Sequence, residues 1–161
     1  MSHLVKRAAV VGAALAAVFT MSPNAQALDG DHHNLYSPSA CDDHWRSAFT
    51  FHIFFNSNLK GSYRNIGYSV YDFGSLKAGA GDPNHYPLRF CQMGASAPWP
   101  GSNQKIKNNA ASARNDHYKY IGRVYYRSGY KGAQDVLSPN ETIGTFSKVY
   151  NENASFKWTS S

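Results

Sequence analysis

The residues of this chain that could do chemistry crowd toward its first third. Between Leu28 and Ser47 lie Asp29, Asp31, His32, His33 and His44, side-chain types that hold metal ions. Their spacing fits neither common pattern: an EF-hand loop needs acidic or amide residues at alternate positions and a distal Glu, and a metalloprotease helix needs the HExxH order. The segment therefore reads as a mobile, polar N-terminal lead. His52 stands between Phe51 and Ile53 on an alternating stretch, so a strand turns it away from their face and toward solvent. Catalysis finds no better foothold, because the chain has no GxSxG elbow and no zinc signature. Asp42 and Asp43, the nearest approach to a glycosidase pair, are chain neighbours that a strand points in opposite directions. No catalytic residue is assigned, and the chain is not read as an enzyme.

The compartment decides how the two cysteines behave. Lys6 and Arg7 precede an apolar run from Ala8 to Phe19, and Ala25-Gln26-Ala27 then supplies a small-x-small cleavage pattern. This is the form of a secretory signal over residues 1–27, too short in its apolar part to anchor in a membrane. Removing it leaves 134 of the 161 residues, with 14 Lys and Arg against 10 Asp and Glu. A scattered net charge of +4 offers no basic face for nucleic acid, and there is no second apolar span, so a secreted monomer is expected. In an oxidising compartment Cys41 and Cys91 should form one disulfide, the count fixing the pairing. A catalytic or metal-binding cysteine is the sharper alternative, without a CxxC spacing to support it. Closing a loop of about 50 residues would stabilise the fold by roughly 4 kcal/mol in the chain-entropy treatment.

The elements that position these residues come from an internal repeat. Phe54-Phe55-Asn56-Ser57-Asn58-Leu59-Lys60-Gly61 returns as Tyr125-Tyr126-Arg127-Ser128-Gly129-Tyr130-Lys131-Gly132, with a ring seven residues before the glycine and the same Lys-Gly ending. Each copy, entered through apolar/polar alternation, reads as a strand running into a folded hairpin whose glycine takes a conformation a Cβ obstructs. Each is followed by a second shared stretch, Ile106–Ser112 and Val149–Ser155, in the same order. Further strands are expected between Tyr63 and Phe73, over Gly122–Tyr126 and over Asp135–Leu137, and no segment after residue 28 shows a capped helical stripe. The hairpins are offset by 71 residues and the later stretches by 43, so the first copy carries an insertion of 28, placed at Leu76–Gln104 where Pro83, Pro87, Pro98 and Pro100 gather. The expected organisation is a lead over 28–49, a first motif over about 50–115 with insertion 76–104, and a second over about 120–158. Ile53, Phe55, Val124 and Tyr126 are the expected shared interior.

The paired hairpins, each followed by Asn-x-x-Ala-Ser, resemble the two Greek-key motifs of βγ-crystallin domains. The resemblance implies an all-β, double Greek-key sandwich in which Phe54 and Tyr125 supply the rings, Gly61 and Gly132 the hairpin glycines, and Ser112 and Ser155 the closing serines. Within that superfamily the secretory signal, cysteines and size resemble the secreted bacterial proteins of peptidase inhibitor family I36. That likeness implies inhibition of an extracellular metalloproteinase, with Leu88, Arg89, Phe90, Cys91, Gln92 and Met93 as the loop entering the cleft, although this chain has one cysteine pair where the founding inhibitor has two. Microbial relatives bind calcium through (Asn/Asp)(Asn/Asp)-x-x-(Ser/Thr)-Ser; the matching residues are Asn108, Asn109, Ser112, Asn151, Glu152 and Ser155. Both copies lack the final serine and only Glu152 is anionic, so a structural role for these residues is expected over calcium, and no cofactor is assigned. The alternative to inhibition is a binding or structural module that uses exposed aromatic residues (Tyr118, Tyr120, Tyr125, Tyr126, Tyr130, Trp99, Trp158) to hold a carbohydrate or a partner protein.

Overall fold

A computed structural model describes residues 23–160, with side chains from Asp29 onward. Lys6, Arg7 and the Ala8–Phe19 run lie outside the described residues. The repeat is realised as two hairpins of the same construction. Strand β1 (Phe51–Asn56) pairs antiparallel with β2 (Lys60–Ile66), setting Phe51 opposite Ile66 and Phe54 opposite Tyr63. Strand β6 (Tyr120–Arg127) pairs in the same way with β7 (Lys131–Leu137), and both pairs shift register by one bulge before the turn. The turns match residue for residue: Asn58, Leu59 and Gly61 have φ of 59°, 57° and 76°, and Gly129, Tyr130 and Gly132 have 75°, 61° and 82°.

Between the hairpins lie β3 (Leu76–Lys77) and β4 (His85–Tyr86), a small ladder inside the insertion, and β5 (Ser112–Asn115); β8 (Thr142–Ile143) and β9 (Ser155–Ser160) complete the set. One sheet runs β2-β1-β5-β8 and another β7-β6-β9. β8 belongs to the second motif yet pairs with β5 of the first. Val70 makes the reciprocal exchange, bonding Phe156 of β9 in both directions (N–O 2.7 and 2.9 Å). The second motif therefore lends β8 to the first sheet, and the first motif returns a single bridging residue, Val70, to the second. This topology is the double Greek key of a βγ-crystallin-like fold.

The interior follows from the alternation. Phe51 and Ile53 of β1 face Val124 and Phe156 across the sandwich, with Phe51 and Phe156 ring centroids 4.2 Å apart. Phe55 is half-buried, its ring edge-on to Phe90, and Tyr126 is exposed: the bulge in each first strand breaks the alternation that placed them inside. The insertion is not an excursion. Leu76, Leu88 and Phe90 are fully buried members of the core, and Leu88 N bonds Phe73 O while Ile106 N bonds Leu88 O.

The lead is likewise part of the body. Helix α1 (Pro23–Tyr36) docks against β3 of the insertion and reaches β2 largely through polar groups, with Leu35 on the core, which is why no apolar stripe announces it. Buried Asn34 donates to Tyr68 O and accepts from Gly67 N and Tyr68 N. Arg64 on β2 donates through Nη2 to Asn34 O and Leu35 O (2.5 and 2.8 Å), binding the carbonyl end of the helix, where a cation is favoured. The turn after it covers the outer face of β1 and β2: Tyr63 Oη donates to Asp42 O, Asn65 Nδ2 to Ser39 O and Asp42 O, and the His44 ring packs edge-on to Phe54 and Tyr63. His52, placed on the opposite face from Phe51 as its parity requires, is thus 1% exposed rather than solvated, with Nδ1 2.8 Å from Asn65 Oδ1. The Cys41–Cys91 disulfide, with Cα atoms 5.6 Å apart, ties this layer to the insertion.

Candidate functional site

Ser112 and Ser155, to which the family resemblance assigns the closing role, each bond the hairpin of their own motif. Ser112 Oγ donates to Asn56 O (2.6 Å) and accepts from Leu59 N (3.1 Å); Ser155 Oγ donates to Arg127 O (2.7 Å) and accepts from Tyr130 N (3.1 Å). The glycines serve the positive φ. A Cβ on Gly61 would meet Pro100 O at 2.9 Å, and the side-chain atoms nearest such a Cβ belong to Phe55 and Asn56 at Gly61 and to Tyr126 and Arg127 at Gly132. Phe54 packs instead on Tyr63 and His44, and Tyr125 on Tyr130.

Of the candidate calcium ligands, Asn108, Asn151 and Glu152 line one cavity of about 410 Å³ together with Lys107, Arg127 and Ser128. Asn108 and Asn151 hold φ of 58° and 51°, turn conformations that asparagine tolerates. Asn109 Nδ2 is bonded to Gln104 and Lys105, and both serine hydroxyls are taken by the hairpins. Asn153, buried, bridges the two stretches by accepting from Asn109 N and Ala110 N and donating to Ile106 O. A cation already stands here: Lys107 Nζ contacts Asp72 Oδ1 and Oδ2 at 2.8 and 3.1 Å and Ser128 Oγ at 3.1 Å. Burial pushes the Asp72 carboxyl up, but hydrogen bonds from Lys107, Gly74 N and Ser128 outweigh it and hold it below the usual carboxylate range. Among the described residues no group of three His, Cys, Asp or Glu comes together to hold a metal ion.

The loop at 88–93 is divided by burial. Leu88, Phe90 and Cys91 are inside, so the apolar groups expected to fill a protease cleft fill the core; only Arg89 and Gln92 are exposed, with Met93 half-exposed. The projecting part is the next stretch, Gly94 to Pro100. It is closed by Trp99 N on Met93 O (2.8 Å) and by Met93 N on Ser102 Oγ (3.0 Å).

Of the surface aromatics, the structure gathers Tyr118, Tyr120 and Trp158; Trp99 sits apart on the projecting loop, and Tyr125 is buried. The gathering residue is His117, which the sequence reading missed. Its turn is built by Asn115, buried at the end of β5, whose Oδ1 accepts from His117 N and whose amide donates to Tyr120 O, Leu137 O and Ser138 O. His117 Nδ1 accepts from Lys119 N and Tyr120 N (3.0 and 3.1 Å), so the neutral ring carries its proton on Nε2. That ring stacks on Tyr118 (centroids 5.1 Å, planes 19° apart) and lies 4.7 Å from Tyr120 and 5.4 Å from Trp158. Trp158 is fixed by Nε1 on Gly67 O (3.1 Å) and rests on Phe51 and Phe156. The His117, Tyr120 and Trp158 rings border a shallow cavity of about 230 Å³ completed by Gly67, Thr159 and Ser160, with Tyr118 outside its lining. The readable signal was an Asx turn, Asn115-x-His117, opening directly into aromatic residues.

Comparison with known proteins adds two solved structures. A βγ-crystallin domain from Flavobacterium johnsoniae is 12% identical, covering 69% of this chain and 94% of its own length with a TM-score of 0.43. A structure from work on the evolution of the eye lens βγ-crystallin domain fold is 9% identical, covering 70% of this chain and 87% of its own, with a TM-score of 0.44. No protein-family model matches the sequence, and no curated protein matches it.

Proposed function

We propose that the chain is exported as a monomeric, non-catalytic binding module that takes a carbohydrate on the His117–Tyr118–Tyr120–Trp158 platform without a cofactor. The observation that carries this reading is Tyr118, which is 81% exposed yet held face to face with a histidine of fixed tautomer. A ring kept in water in one orientation is organised in advance for a flat apolar surface, such as the C–H face of a sugar, so little ordering entropy is lost on binding. His117 Nε2–H and the Thr159 hydroxyl can then meet sugar hydroxyls at the rim. Titration of the purified protein against chitin oligomers, peptidoglycan fragments and neutral glucans should find at least one soluble glycan that binds, with Tyr118→Ala weakening it about tenfold. Absence of binding to all of them at millimolar concentration, or affinity untouched by that substitution, rejects the reading.

A second reading is inhibition of a secreted metalloproteinase, and the observation favouring it is the projecting Gly94–Pro100 loop, closed on itself two residues beyond a disulfide. Such a loop has met its ordering cost during folding. Micromolar titration against secreted metalloproteinases separates the two: inhibition abolished by shortening residues 94–100, with Tyr118→Ala inert, favours it over the glycan platform.

A further inference from the structure

The groove beside the disulfide is the larger concavity, about 600 Å³, and neither function above uses it. Its wall is formed by Leu35, Tyr36, Pro87, Phe90 and the Cys41–Cys91 bridge on the apolar side and by Arg64, Arg89, Gln92 and Asn103 on the polar side. Among the described residues no acidic side chain lines it, and Tyr86 at its edge donates through Oη to Asp82 at 3.1 Å.

Arg64 is the anomaly. It is 8% exposed, and burial draws it down to about 10, still charged at neutral pH. A buried cation is costly unless an anion and a full set of acceptors surround it. Here Nη2 is satisfied by the helix carbonyls, but Nη1 reaches only Arg89 O at 3.4 Å and Cys41 Sγ at 3.5 Å, and Nε, closed off from solvent, has no partner, so Nη1 is the edge left for an anion. Among the described residues neither Arg64 nor Arg89 is ion-paired with a carboxylate. Arg89, exposed on the same wall, is oriented by Nη1 on Asn103 O (2.8 Å), the one described hydrogen bond of its side chain.

We propose that this groove binds a small organic carboxylate, the acid group meeting the Arg64 and Arg89 guanidiniums and an apolar or aromatic body lying along Leu35, Phe90 and the disulfide. Planar guanidiniums suit the two-oxygen edge of a carboxylate, and a concavity of this volume encloses a small molecule rather than a flat protein surface. The apolar half of the wall selects against inorganic anions and bare sugars, which would leave it wet.

Phenylacetate is a suitable probe, with phenylacetamide as its uncharged counterpart and inorganic phosphate as a bare anion. In an NMR titration of the labelled protein at neutral pH, phenylacetate should move the resonances of Tyr36, Arg89, Gln92 and Asn103. Phenylacetamide should bind at least about tenfold more weakly, as expected for loss of a charged hydrogen-bond partner. Arg89→Gln, at an exposed position that leaves the core intact, should weaken phenylacetate by a similar factor without lowering the melting temperature, and Arg64→Lys should do the same wherever it folds. Equal binding of acid and amide, shifts mapping elsewhere, phosphate competing as well as phenylacetate, or no shift at tens of millimolar each overturns the proposal.

Discussion

Two serines carry the repeat at the scale of single residues. Leu59 and Tyr130 sit at φ of 57° and 61°, a region costing a residue with a Cβ roughly 1–2 kcal/mol, and neither is the asparagine or glycine that occupies it readily. What holds them is one hydroxyl each, from Ser112 and Ser155, bridging the amide of the strained residue and the carbonyl three positions before it. Replacing either serine by alanine strands both backbone groups in a part-buried turn, so each variant should lose about 1–3 kcal/mol in denaturant unfolding. A loss below the error of the measurement would mean that water takes the hydroxyl's place. These roles were legible because residue type and offset repeat together. The partition of the rings was not, since Phe55 and Tyr126 sit in a bulge that alternation alone cannot anticipate.

At the scale of elements, the lead and the insertion form a third layer that periodicity does not reveal. Parity put His52 on the right face of β1, but whether that face meets water depends on residues 34–45, which dock through Asn34, Arg64, Tyr63 and Asn65 rather than through an apolar stripe. The disulfide was legible from the count of cysteines, whereas the burial of Leu88 and Phe90 was not, because proline and glycine around them read as an excursion. The layer has a pH consequence. Burial lowers the basicity of His52, against the opposing pull of its Asn65 bond and of Asp116, and burial lowers His44 beside it, rings 5.6 Å apart. A histidine whose folded value is depressed binds its proton more readily when unfolded, so its contribution is complete above the unfolded value near 6.5 and is lost as pH falls through it. The unfolding free energy should therefore drop between pH 7 and pH 5, with a slope of at most about 1.4 kcal/mol per pH unit for each histidine, taking the melting temperature down with it, and His52→Gln should flatten the profile. A profile level over that range would show that Asp116, 3.3 Å from His52 Nε2, compensates on protonation.

For the whole molecule, the backbone pairing between the motifs decides what can fold alone. β9 closes the second sheet, yet its outer neighbour is Val70 of the first motif, and Phe156 on that strand packs against Phe51 of β1. β5 of the first motif in turn takes its edge partner, β8, from the second. Cutting between the motifs would take β8 from the first sheet and the Val70 bridge from β9, and open the shared interior on both sides, leaving residues 116–160 at a size where a single core is marginal even when complete. A fragment of residues 116–160 should thus be unfolded by near-ultraviolet dichroism and show no protected amides. Mixed with a fragment of residues 28–115, it should regain both signals, because the missing partners are then supplied in trans. The intact chain should accordingly melt in one transition seen alike by tryptophan fluorescence and by far-ultraviolet dichroism. Two separated transitions, or a folded second motif in isolation, would show that each half carries its own core and that the backbone pairing joins them without making either dependent on the other.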